Sequence, residues 1–147
     1  DVLCARLFFL YGPPNAPGPD AGFNTGLFAS LSGQHEVTMP RGREQKGDWT
    51  YIEDAARAVT LMLKAENVKD RSFNIATGTF NPIDEIVEMV KKYSPGDPKI
   101  EVGPGVNLER GAPLDIARAT DQLGYKPEYD LEEGVRVYRQ WFESQEG

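Results

Sequence analysis

The chain has 147 residues, 39% hydrophobic and 27% charged, the composition of a soluble globular unit. Sixteen Lys and Arg against 23 acids give a net charge of −7, which argues against a general nucleic-acid binder with its basic face. No apolar run reaches the roughly 18 residues of a membrane span, and nothing resembles a signal peptide. One cysteine (Cys4) and one histidine (His35) exclude a disulfide framework and a thiolate or imidazole zinc site, so no metal is expected. A lone cysteine also suits a reducing compartment, and the expected location is cytoplasmic.

The first ten residues, DVLCARLFFL, read as a buried strand over about 5–10 that runs into a Pro/Gly-rich loop. The chain opens on this strand without an initiator Met, so it is expected to be processed, trimmed or a fragment. Residues 22–34 predict a short helix with Phe23, Leu27, Phe28 and Leu31 on one face, stopped at Gly33. His35 lies before a strand-like HEVTMP and is expected at the surface. The loop RGREQKGD follows, with Arg41, Arg43 and Lys46 balanced against Glu44 and Asp48 as a solvated run.

The stretch GDWTYIEDAARAV steps from an aromatic, β-branched run into a helical pattern at Glu53-Asp54. Ala55, Val59, Met62 and Leu63 recur at helical spacing and predict a helix over 54–65 with that stripe on one face. Two acids in a first turn complement its unpaired N–H groups and the macrodipole, so the pair reads as a helix start rather than a catalytic dyad. RSFNIATG predicts a strand over about 72–77. In NPIDEIVEMVKKYSPG, Asn81 is expected to cap and Pro82 to take the first helical position, with Ile83, Ile86, Val87 and Val90 inward. KIEVG predicts a strand, and LDIARATDQLGY a short helix ending at Gly124. The last helix opens with Asp130 and Glu133 in capping-box spacing and carries Leu131, Val135, Tyr138, Trp141 and Phe142. Trp141 at that spacing reads as core rather than as a stacking platform. Alternation of strands and helices argues an α/β unit with mainly parallel strands, a single unit over residues 1–147.

Four segments, in order, carry a family resemblance. ARLFFLYGP is similar to "LRLFNVYGP", GDWTYIEDAARAV to "RDFVYVDDVARA", SFNIATGTFNPIDEIVEMV to "YNIGTGEETSILELAELI", and LDIARATDQLGYKPEYDLEEGVRVYRQWF to "DISKARRLLGWKPRVDLEEGLRRTVEWF". These patterns belong to the extended short-chain dehydrogenase/reductase superfamily of NAD-dependent nucleotide-sugar epimerases and dehydratases, and all four lie in its C-terminal half. The resemblance implies the C-terminal part of a Rossmann-like fold: the last strands of the nucleotide-binding sheet and a small α/β substrate-binding lobe. A glycine-rich dinucleotide loop is absent from this sequence, and none of its six tyrosines has Lys four positions on, so no catalytic residue is assigned.

What the resemblance implies for sites is limited to the lobe and to Leu7 and Phe8, which would lie near the nicotinamide of NAD or NADP. As strand residues they are core by default, and this chain alone is expected to bind no cofactor. Candidate substrate residues are Phe9, Tyr11, Arg41, Lys46, Trp49 and Arg110. Phe9 stands where the pattern has Asn, and Gly47 where it has a diphosphate-binding Arg, with Lys46 one residue early. Loss of that guanidinium removes strong bidentate bonds to phosphate. The function so implied is the substrate-binding portion of a nucleotide-sugar epimerase, dehydratase or reductase, inactive alone. The alternative is a non-catalytic ligand-binding or self-assembling module. An open sheet edge implies a partner, either a second copy of this chain or a missing N-terminal half.

Overall fold

A computed structural model describes residues 2–13, 26–108 and 112–145. Eight short strands and four helices fall in the order β1 (Cys4–Leu7), β2 (Leu10–Tyr11), β3 (Glu36–Met39), β4 (Lys46–Gly47), β5 (Thr50–Tyr51), α1 (Ile52–Lys64), β6 (Ser72–Ile75), β7 (Asn81–Pro82), α2 (Ile83–Tyr93), β8 (Lys99–Val102), α3 (Ala117–Leu123) and α4 (Leu131–Gln145). Four strand pairs form. β1 lies parallel to β6, β2 to β5 and β3 to β8, while β4 and β7 run antiparallel.

Two apolar cores result. The smaller joins Phe73 and Ile75 of β6 to Ala58 of α1 and to Ala119, Leu123 and Tyr125. The larger collects Phe28, Leu31, Val37, Met39, Trp49, Tyr51, the inner face of α2, and Val135, Tyr138 and Phe142 of α4. β1, β6, α1 and α3 thus make a sheet remnant, and the rest of the described chain makes a lobe. α1 spans both, with Ile52 against the lobe and Ala58 in the sheet core.

Several expectations change here. The strand expected over 5–10 divides: β1 ends at Leu7, and Leu10–Tyr11 pairs with Thr50–Tyr51, so the chain leaves one sheet for another across Phe8 and Phe9. Of the helix expected over 22–34, residues 22–25 lie outside the described residues, Gly26 and Leu27 are helical, and a 3-10 turn (Ala29–Ser32) follows that Gly33 ends at φ 92°. In α1 the buried face is Asp54, Ala55 and Ala58, and Val59 and Leu63 stand 44% and 83% exposed. Ala55 is buried and Met62 packs half-buried against the smaller core, while Val59 and Leu63 have no covering element among the described residues. Asn81 and Pro82 bridge to β4 instead of starting α2, because pairing with Lys46–Gly47 holds them extended. Asn81 does not cap α2; it donates to Glu85 Oε2 at 2.9 Å.

Other expectations hold. Gly124 closes α3 in the left-handed conformation, and Asp130 Oδ1 accepts the Glu133 N–H at 2.8 Å to cap α4. His35 is exposed, and Trp141 packs half-buried against the larger core.

Candidate functional site

The acids at the head of α1 are structural, but they do not cap their own helix. Asp54 is fully buried and accepts the backbone N–H groups of Glu128 (2.9 Å) and Tyr129 (3.2 Å). Arg57 pairs with it at 2.5 Å. The carboxylate therefore fastens the segment before α4 to α1. Glu53 accepts from the Tyr129 hydroxyl at 2.6 Å, and that bond is the main reason the phenol is pushed up to about 12.

Asp48 is a correction to the solvated loop. It is buried, and it accepts Thr77 N–H (2.8 Å), Thr77 Oγ1 (2.6 Å) and Gly78 N–H (2.8 Å). Burial raises its pKa, and those three hydrogen bonds oppose the rise. The loop after β6 is thereby tied to the link between β4 and β5 that carries Trp49.

Gln45 organises the next wall. Its side-chain oxygen accepts Asn107 N–H (3.2 Å) and Leu108 N–H (2.9 Å), and its amide donates to Lys46 O at 2.6 Å. Main-chain bonds from Gly42 to Gly105 O and from Arg43 to Gly103 O, each 3.0 Å, zip the 41–45 loop to the 103–108 loop. Arg41 is exposed beside Gly105 on this zip. Arg43 is committed, donating to Val102 O at 3.2 Å and pairing with Asp84 at 2.9 Å. Arg110 lies outside the described residues, shortly after the segment that Gln45 holds. Neither Gln45 nor Asp48 was singled out from sequence, because only tertiary burial distinguishes them from solvated loop residues.

Phe9 and Trp49 are brought together. Their rings stack with centroids 5.0 Å apart, Phe8 lies 4.7 Å from Phe9 on centroids, and Phe9 O accepts Thr50 N–H at 3.1 Å. Phe8 and Trp49 are buried and Phe9 is half-buried. Lys46 is exposed on the side of β4 opposite buried Gly47. Leu7 stands at the end of β1, 42% exposed.

Tyr11 is enclosed in the lobe core. It stacks on Phe28 at 4.6 Å and its hydroxyl approaches Leu131 O at 3.4 Å. Burial is the main cause raising the pKa of Tyr11, Tyr51 and Tyr125, so these phenols stay protonated at neutral pH and offer no acid/base couple there. No group of three or more metal-ligating side chains occurs among the described residues, and no described helix is long and apolar enough to cross a membrane.

A parallel strand pair flanked by helices and carrying an α/β lobe is part of a Rossmann-like fold of the nucleotide-sugar epimerase kind. Residues 1–76, just over half of the sequence, match the NAD dependent epimerase/dehydratase family, and the chain belongs to it. It is 28% identical over 137 residues to a putative UDP-glucose 4-epimerase of Methanocaldococcus jannaschii, covering 92% of this chain and 43% of that protein. The crystal structure of UDP-glucose 4-epimerase with UDP-glucose from Thermotoga maritima superposes with a TM-score of 0.77 at 26% identity, over 97% of this chain and 46% of that one. An epimerase from Methanothermobacter thermautotrophicus shares the fold with a TM-score of 0.79 at 21% identity, over 96% of this chain and 43% of that one. The chain thus spans less than half the length of these relatives and corresponds to their C-terminal portion.

Proposed function

We propose that this chain is the substrate-binding portion of an NAD(P)-dependent nucleotide-sugar epimerase, dehydratase or reductase, and that by itself it is catalytically inert. The observation that carries this reading is the narrow sheet: among the described residues β1 and β6 form a two-stranded parallel pair beside the α/β lobe. Parallel sheets are ordinarily wider and covered on both faces. The substrate side is read as the face that carries Phe9, backed by Trp49 and Tyr11 in the core, with Arg41 on the neighbouring loop; Lys46 faces the other side of β4, and Arg110 lies outside the described residues. A dinucleotide has little to hold it here, since Phe8 is buried and Leu7 alone of the two cofactor candidates is exposed. The lone cysteine fits a cytoplasmic setting.

Calorimetric titration of the purified chain tests this. Silence with NAD and a saturable signal with one of the UDP-, TDP- or GDP-sugars is the expected result. A clear NAD signal, or silence with every sugar nucleotide, would overturn it.

A second reading, self-assembly, is favoured by one surface. Leu3, Ala5, Val59, Met62, Leu63 and Val68 line a 750 Å³ groove between β1 and α1. In the parallel register Ala5 and Leu7 direct their backbone groups away from β6, so the β1 edge is open beside that groove. In the complete protein an N-terminal half covers this surface; in the isolated chain a second copy does. Light scattering at high micromolar concentration is expected to show a dimer, and a strictly monomeric species would refute the self-pairing.

A further inference from the structure

The described chain passes between the sheet remnant and the lobe at residues 8–9, at the head of α1, at 76–80 and at 124–130. Each of these crossings is held by one stretch, residues 48–57. In the first, Thr50 N–H donates to Phe9 O at 3.1 Å. The second is α1 itself, which begins inside the stretch. In the third, Asp48 accepts the consecutive N–H groups of Thr77 and Gly78 at 2.8 Å each. In the fourth, Asp54 accepts those of Glu128 and Tyr129 at 2.9 and 3.2 Å. Arg57 adds Lys126 O at 2.7 Å and the Glu128 carboxylate at 2.5 Å. The third and fourth crossings are also joined to each other, since the Tyr125 hydroxyl donates to Ala76 O at 3.1 Å. Asp48 and Asp54 are both fully buried. Bonds from backbone N–H to a carboxylate are stronger than neutral ones, and removing either acid leaves two consecutive donors unmet.

The two cores so joined are unequal. The larger gathers side chains from β3, β5, α2, β8 and α4. The smaller rests on two strands and has one flank open at the groove between β1 and α1. A two-stranded sheet is marginal by itself. We infer that residues 48–57 are a clasp through which the lobe keeps the sheet remnant folded. With the clasp closed, β1 is presented as an ordered strand beside its groove. With the clasp released, β1, β6 and α3 lose their order while the lobe stays folded. The clasp therefore controls whether the β1 edge exists as a surface that a partner can meet. The device belongs to the free chain and does not depend on what the lobe binds.

Amide hydrogen exchange of the whole chain, read segment by segment without denaturant, tests this. In the parent, β6 and α3 are expected to be protected, as are α2 and β8. In Asp48→Ala/Asp54→Ala, β6 and α3 are expected to exchange at the rate of an unstructured chain, while α2 and β8 stay slower than that rate by about a hundredfold or more. Should the double variant aggregate, Phe73→Ala, which empties the smaller core and leaves the clasp residues in place, is held to the same pattern. Protection kept at β6 would show that the remnant holds without the lobe. Protection lost at α2 as well would show that the lobe does not stand without the remnant. Either result overturns the inference.

Discussion

Gly134 occupies a helix position that ordinarily favours alanine by about 1 kcal/mol. Here a Cβ would fall 1.9 Å from the Tyr11 hydroxyl and 2.8 Å from its ring carbon. Overpacking of this kind costs about 1–3 kcal/mol, so Gly134→Ala should lower stability in urea melts. Tyr11→Phe in the same chain should recover part of the loss, because it removes the nearer atom. Tyr51 makes the opposite case. Its hydroxyl is buried with no partner among the described residues, and an unmet buried donor costs about 1–3 kcal/mol. Tyr51→Phe is therefore expected to leave Tm unchanged or raise it; a marked fall would reveal a hydrogen bond that the structure does not show. Asp48 yields a pH signature. Its folded pKa is raised by burial, so the folded state holds that proton more tightly than the unfolded chain does. Its contribution is largest below the unfolded aspartate pKa, near 3.9, and is lost as pH rises through the raised folded value. The stability of the parent relative to Asp48→Asn should accordingly fall as pH rises from about 4 towards neutrality, read from urea midpoints.

Among the elements, the α1 head carries most at stake. Asp54 serves two backbone donors of the 128–129 segment and one guanidinium, all from a fully buried position. Asp54→Ala strands those groups and should cost about 3 kcal/mol by equilibrium unfolding, far more than the loss of an ordinary cap. Local chemistry made much of the architecture legible. Gly33 and Gly124 end their elements, Asp130 caps α4, and β3, β8 and β6 fall within a residue or two of expectation, because propensity and capping act over a few residues. The division of the first strand was not legible, since nothing in ARLFFLY states that Leu10–Tyr11 pairs with a segment 40 residues on. What the stripe of α1 faces was illegible for a similar reason. Its periodicity is genuine, but the described chain does not supply what the stripe faces. In the site, Phe9 and Trp49 could be chosen singly by resemblance. Their stacking needed the fold.

For the molecule as a whole, the groove between β1 and α1 is where the proposed self-pairing is tested. Leu63 is exposed and makes no contribution to either core, so Leu63→Lys should leave Tm within about a degree, as surface substitutions generally do. Under the proposed self-pairing, the same change is expected to give a monomer in light scattering where the parent gives a dimer. A variant that dimerises as the parent does would place the interface elsewhere.

The parallel pairing of Cys4 with Ser72 has a consequence for the history of the chain. β1 precedes its partner by 68 residues, and synthesis proceeds at roughly 5–20 residues per second, so the earlier strand waits about 3–14 seconds after translation before β6 exists. Throughout that interval the edge that β6 will cover stays open, while the turn and strands of the lobe accumulate behind it. That edge is therefore exposed for longer during synthesis than the edge of β2, whose partner Thr50 follows Leu10 after only 40 residues.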